Sequence, residues 1–218
     1  ATELDRLAHA AGGPVSLVAH SFGGQIARAL AEILPGSIDR IVLLGSTFDP
    51  VDAHLRFAKS LVNAGADTPE LVRALDGVSA NVNPDSLLGV VSASFGVPGA
   101  LRHYFAKDSE AVAQRYLEHL LQGPNIDFGT LASVLRDCMR APPPATRSPF
   151  TGPVELLSGT TDPICAGGSD AVGWQAVFPR ARYRAVPSGH MVHVELAPDI
   201  WFGQAPDAAA AGATTATA

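Results

Sequence analysis

The chain has only two cysteines, Cys138 and Cys165, among 218 residues, which argues against a disulfide framework. No apolar run approaches the roughly 18 residues of a membrane-spanning helix, so no membrane span is expected. Positive charge is scarce: 15 Lys and Arg stand against 21 Asp and Glu, a formal net charge of −6. The basic residues, mostly Arg, are spread rather than clustered, which argues against a nucleic-acid surface. No group of Cys, His or carboxylates has metal-ligand spacing, and neither a metal nor another cofactor is expected. What is present is a chain 47% hydrophobic, enough to bury a substantial core as one domain carrying an insertion.

The stretch richest in chemical meaning is Val15-Ser16-Leu17-Val18-Ala19-His20-Ser21-Phe22-Gly23-Gly24. The apolar run Val15 to Ala19 predicts a strand, and Gly24 to Leu34 predicts the helix that follows. A chain that reverses this sharply strains its turn residue, and only small neighbours two positions either side are tolerated. Ala19 and Gly23 are those neighbours. The reversal lifts the Ser21 hydroxyl clear of the sheet and aims the Phe22 backbone N–H at the place where an oxyanion would form. Downstream, the strand-like Pro153-Val154-Glu155-Leu156-Leu157 ends in Ser158-Gly159-Thr160-Thr161-Asp162-Pro163. A further strand, Tyr183 to Pro187, runs into Ser188-Gly189-His190. A serine, an acid and a histidine thus follow three strands in that order.

From about Pro14 to Trp201 the chain resembles the α/β-hydrolase superfamily. The resemblance rests on Ala19-His20-Ser21-Phe22-Gly23-Gly24, on Gly159-Thr160-Thr161-Asp162, and on Gly189-His190 followed by Glu195 and Pro198. It implies that Ser21 is the nucleophile, Asp162 the acid that orients the imidazole, and His190 the general base, with Phe22 N–H in the oxyanion hole. Ala19 stands where the family usually has Gly. The family also places several strands, and a loop with a second oxyanion donor, ahead of the elbow. Here only Ala1 to Gly13 precede it, reading as one helix with Leu4, Leu7, Ala8 and Ala11 at helical spacing. We therefore expect the chain to lack roughly 60 to 90 residues of the family core. As given, it should aggregate and act weakly if at all.

The fold class expected is α/β: a partial α/β-hydrolase parallel sheet with helices on both faces and an inserted helical cap. Residues 1–48 form the first part of the core, helix, elbow strand and the next strand, Ile38 to Gly45. Residues 49–150 carry helical periods over Val51 to Ala64, Thr68 to Leu75, Pro84 to Ser94, Gly99 to Phe105, Ser109 to Leu121 and Phe128 to Met139. This insertion, closed by Pro142-Pro143-Pro144, resembles the family's cap. Residues 151–204 complete the core with the acid and His loops, and 205–218, rich in Ala and Thr, form a disordered tail.

Phe57, Phe95, Tyr104 and Phe105 are candidates to line an acyl pocket, each competing with a place in the core. Asp49, after the Ile41 to Leu44 strand, competes with Asp162 for the acid, although before Pro50 it also reads as a helix N-terminal residue. His20 reads as a packing or hydrogen-bonding residue beside the serine. His193 lies in a helix, whereas His190 follows a loop, and Cys165 reads as a buried inert thiol. The function implied is hydrolysis of a small acyl substrate, an ester or lactone, through an acyl-enzyme. Amidase or carbon–carbon bond hydrolase activity, or a ligand-binding relative without turnover, are the alternatives on this fold.

Overall fold

A computed structural model of the chain describes residues 2–122, 128–140, 146–165 and 167–202. Four parallel strands form one sheet in sequence order: β1 (Val15–His20), β2 (Ile38–Leu44), β3 (Val154–Gly159) and β4 (Arg182–Val186). The chain is an α/β protein whose parallel sheet is flanked by helices.

The near-continuous apolar run of β2 suits a strand covered on both faces. Ile41 and Leu43 pack against Leu4 of α1 (Thr2–Ala11), Ala27 and Ala31 of α2 (Gly23–Ile33), and Trp174 and Val177 of α8 (Gly168–Val177). Val42 and Leu44 point the other way with Leu157 and Val186. They meet Val192 of α9 (Val192–Glu195) and Trp201 and Phe202 of α10 (Pro198–Phe202). The outer strand β1 is less protected: Val18 remains 44% exposed.

Between β2 and β3 the described residues form α3 (Pro50–Asn63), α4 (Pro69–Ala80), α5 (Pro84–Gly96), α6 (Glu110–Gln122) and α7 (Phe128–Arg140). The first three start alike. Asp49, Thr68 and Asn83 each accept from first-turn N–H groups, and a proline follows at the first helical position. This layer has a core of its own, built on Phe57, Leu61, Leu71 and Val90. It takes in Ile164, Met191 and Val194 from the segments that follow β3 and β4, so the helices sit over the strand ends that carry the candidate residues.

Three elements differ from the sequence reading. Gly99, at φ 75°, starts a 3₁₀ turn over Ala100–Tyr104 in place of a helix over 99–105. The helix expected to stop near Leu75 continues to Ala80. Helix α8 was not anticipated. The Pro142-Pro143-Pro144 boundary and the 205–218 tail lie outside the described residues.

Candidate active site

Ser21 is, among the described residues, the one non-glycine residue with positive φ, 53°. Such a conformation costs on the order of 1–3 kcal/mol and persists only where the surroundings impose it. They do so here: Ser21 N–H donates to the Leu44 carbonyl at 3.0 Å, holding the turn to β2, while its own carbonyl accepts from Gly24 N–H at 3.1 Å. A Cβ added at Gly23 would stand 3.7 Å from the Ala19 Cβ, so these two positions face each other across the turn. The Phe22 N–H, at the start of α2, meets no acceptor among the described residues.

Asp162 and His190 arrive on the loops after β3 and β4. The His190 Nδ1 lies 2.9 Å from Asp162 Oδ2, and its Nε2 lies 2.9 Å from Ser21 Oγ. Pairing with a carboxylate puts the proton on Nδ1 and leaves the Nε2 lone pair to accept the serine O–H. The other Asp162 oxygen accepts from Ile164 N–H at 2.8 Å and Cys165 N–H at 2.9 Å, which fixes the carboxylate's rotation. Both side chains are buried, 3% exposed for His190 and 0% for Asp162. Asp49 is elsewhere: its carboxylate caps α3, accepting from Val51 and Asp52 N–H.

The backbone around His190 is tightly held. His190 N–H donates to the Tyr104 carbonyl at 2.6 Å. The Glu195 carboxylate accepts from Gly189 N–H at 2.9 Å through one oxygen, and from Ala106 N–H and Ser109 Oγ–H at 2.9 and 2.8 Å through the other. The histidine loop is thereby tied to the helical layer. His20 Nε2 lies 3.0 Å from the His190 carbonyl oxygen and so donates to it. Burial, with His190 and His193 nearby, lowers His20 from its ordinary 6.5 to about 3, keeping it neutral. The His193 ring packs against His20 at a tilt, with ring centroids 4.2 Å apart, and is also lowered by burial. Gly45 completes the frame: at φ 54° it passes so close that a Cβ there would lie 2.8 Å from His190 O and 3.1 Å from its Nδ1.

A cavity of about 240 Å³ opens on Ser21 and His190. Its walls are His20, Thr47, Pro50, Ala53, His54, Phe95, Tyr104, Ile164 and Met191. Of the four candidates for pocket lining, Phe95 and Tyr104 are in the wall. Phe57 stands behind it, stacked on Tyr104 at 4.6 Å and 1% exposed, and Phe105 packs on Tyr116 at 5.8 Å. Both are core: Phe57 on α3 and Phe105, just after the 3₁₀ turn, lie in the buried cluster of the helical layer. Sequence reasoning missed Thr47 and His54; the only signal was their position just before and after the Asp49 cap. Cys165 is buried, its thiol pushed up to about 12 chiefly by burial and held near Ser158 Oγ at 3.1 Å, an unreactive state. Among the described residues no helix is long and apolar enough to cross a membrane.

The chain is similar in structure to a thermophilic esterase from Thermogutta terrifontis (TM-score 0.54, 15% identity, 87% of this chain and 63% of that one). It is also similar to a proline iminopeptidase-related protein from Thermus thermophilus (TM-score 0.52, 20% identity, 87% and 62%) and to Rv0554 from Mycobacterium tuberculosis (0.52, 16%, 82% and 59%). At these identities the likeness is one of fold, and the chain spans about 63% of the first of these structures. Comparison with curated protein sequences found no match. The family model described as serine aminopeptidase, S33, matches residues 3–198, and the chain belongs to that family of α/β-hydrolases.

Proposed function

We propose that Ser21, His190 and Asp162 form a catalytic triad that hydrolyses a small carboxylic ester or lactone through an acyl-enzyme. The observation that carries this reading is the His190 imidazole, set 2.9 Å from both Ser21 Oγ and Asp162 Oδ2 in one buried line. Ser21 Oγ attacks the carbonyl carbon while His190 Nε2 takes the hydroxyl proton. Asp162 stays ionised and stabilises the imidazolium. The oxyanion that forms faces the Phe22 N–H. Collapse expels the alcohol, which takes the proton from Nε2. A water molecule then attacks the acyl-serine with His190 again as base, releasing the acid and free Ser21.

Helices α3 to α7 act in this proposal as a cap that shapes the acyl cavity and limits water. The family description names an aminopeptidase, which must hold a substrate's ammonium group. Among the described residues the cavity wall contains no Asp or Glu, which favours a neutral acyl substrate over a free peptide N-terminus. The test is covalent. A fluorophosphonate ester should label the chain at Ser21 alone, read by peptide mass mapping, and Ser21→Ala should abolish labelling and turnover of a chromogenic short-chain ester. An adduct on Ser46, Ser158 or Ser188 with Ser21 untouched defeats the assignment.

A further inference from the structure

Besides the Tyr104 phenol, two polar side chains in the wall of the catalytic cavity have no hydrogen-bond partner among the described residues. Thr47 follows β2 and is 3% exposed, yet its hydroxyl makes no hydrogen bond among the described residues; the only contact at this residue is its backbone carbonyl accepting from Gln25. His54, one turn into α3, likewise forms no side-chain hydrogen bond among the described residues and faces the same cavity. Each comes from the same turn-to-helix segment, on either side of the Asp49 cap. The remaining wall away from the triad and His20 is Pro50, Ala53, Phe95, Tyr104, Ile164 and Met191, largely apolar.

Polar groups that open on a cavity are satisfied by water or by ligand, and a ligand that displaces the water must replace its hydrogen bonds. His54 is neutral at physiological pH, lowered from 6.5 to about 4 by burial and by His190 close by. A neutral imidazole offers one donor and one acceptor, and a threonine hydroxyl offers both as well. Among the described residues the cavity wall holds no Lys or Arg, so they provide no counter-charge for a carboxylate. These features select a group that can both give and take a hydrogen bond without bearing charge.

Resting on the hydrolase reading above, we infer that Thr47 and His54 form a polar subsite for a hydroxyl on the acyl chain, making hydroxyacyl esters or hydroxyacyl-derived lactones the preferred substrates. The hydroxyl sits between the two side chains, and the apolar wall receives the rest of a short chain. A carboxylate at the same place would be desolvated without a cation and is rejected.

The experiment compares p-nitrophenyl butyrate, p-nitrophenyl 3-hydroxybutyrate and mono-p-nitrophenyl succinate on the protein and on Thr47→Val and His54→Leu. The expected result is a kcat/KM ratio of hydroxybutyrate to butyrate of about ten or more, since a hydrogen-bonding site discriminates against the analogue lacking its partner. Each variant should bring that ratio to near one or below, with succinate the poorest substrate throughout. A ratio near one in the unsubstituted protein, or a ratio unchanged in both variants, overturns the subsite. A second measurement does not need turnover: in Ser21→Ala, 3-hydroxybutyramide should shift the His54 imidazole resonances in NMR and butyramide should not. If that selectivity holds while no ester is turned over by the unsubstituted protein, the subsite stands and the hydrolase reading fails. If esters are turned over and the amides perturb His54 equally, the subsite fails alone.

Discussion

At the scale of single residues, the two candidate acids make opposite demands on the molecule. Asp162 is buried and bonded to His190, whereas Asp49 caps α3. Asp162→Asn should lower kcat by about 10⁴, the loss expected when a triad acid is replaced by its amide. Asp49→Ala should leave the serine chemistry in place and lower stability by about 1 kcal/mol, as loss of an N-cap does. Steady-state kinetics and urea unfolding of the two variants separate the roles; equal kinetic losses would mean that the acid is misassigned. The buried histidines set a pH dependence. His20 is lowered to about 3 and His54 to about 4, so the unfolded chain binds more protons than the folded one below 6.5. Stability should therefore be full above pH 6.5 and fall as pH drops towards 4, by up to about 1.4 kcal/mol per pH unit for each histidine. Thermal melts between pH 7 and 4 should show a shallower fall in His54→Leu than in the unsubstituted chain. The residues that the structure brings together around His190 were legible because each follows a strand in a short motif. Thr47 and His54 were not, since what a helix presents to a cavity depends on how it docks.

At the scale of elements, one arginine adds a polar tie to the apolar packing of α3. Arg56 Nε donates to the Ile164 carbonyl at 2.6 Å, and its Nη2 reaches Asp170 Oδ2 at 3.0 Å. Asp170, 4% exposed, also accepts from Phe48 N–H at 2.7 Å. One side chain thus links the helix carrying His54 to the loop carrying Asp162 and to α8. Asp170→Ala takes the buried carboxylate away from the Phe48 N–H and from the part-buried Arg56 head, which keeps Asp52. It should cost about 3 kcal/mol, near the low end for breaking a buried pair because Arg56 keeps 22% of its side chain exposed. Chemical denaturation measures this, and a loss below about 0.5 kcal/mol would show the linkage to be surface-like. Strands and proline-led helices were readable because their signals are local: apolar runs for the sheet, and an Asp, Thr or Asn before Pro for the caps. Helix α8 was not, because its sequence GSDAVGWQAV carries glycines that read as breakers. Gly173 is there for space, since a Cβ would lie 2.4 Å from the Phe48 ring, a long-range contact invisible in the local sequence.

At the scale of the whole molecule, the sheet is unevenly protected. Its centre, β2 and β3, is buried between helices on both faces, as parallel strands require. Its β1 side is not. β1 pairs only with β2 among the described residues, which leaves its outer row of N–H and C=O groups open, and Val18 stands 44% exposed on a face that α9 and α10 do not reach. Leu7 of α1 and Ile26 and Ile33 of α2, near the same side, are 46%, 56% and 63% exposed. An open parallel edge beside apolar surface is a template for a second chain. The 218-residue chain should therefore self-associate at micromolar concentration, by strand addition at β1. Val18→Lys puts a charge on that strand's open face without touching the β2 pairing, and natural edge strands use lysine in this way. The variant should run as a smaller species in light scattering and size-exclusion chromatography, while Ser21 keeps its reactivity towards the fluorophosphonate. A chain already monomeric at high concentration would overturn this prediction, and one whose association ignores Val18→Lys would place the sticky surface away from β1.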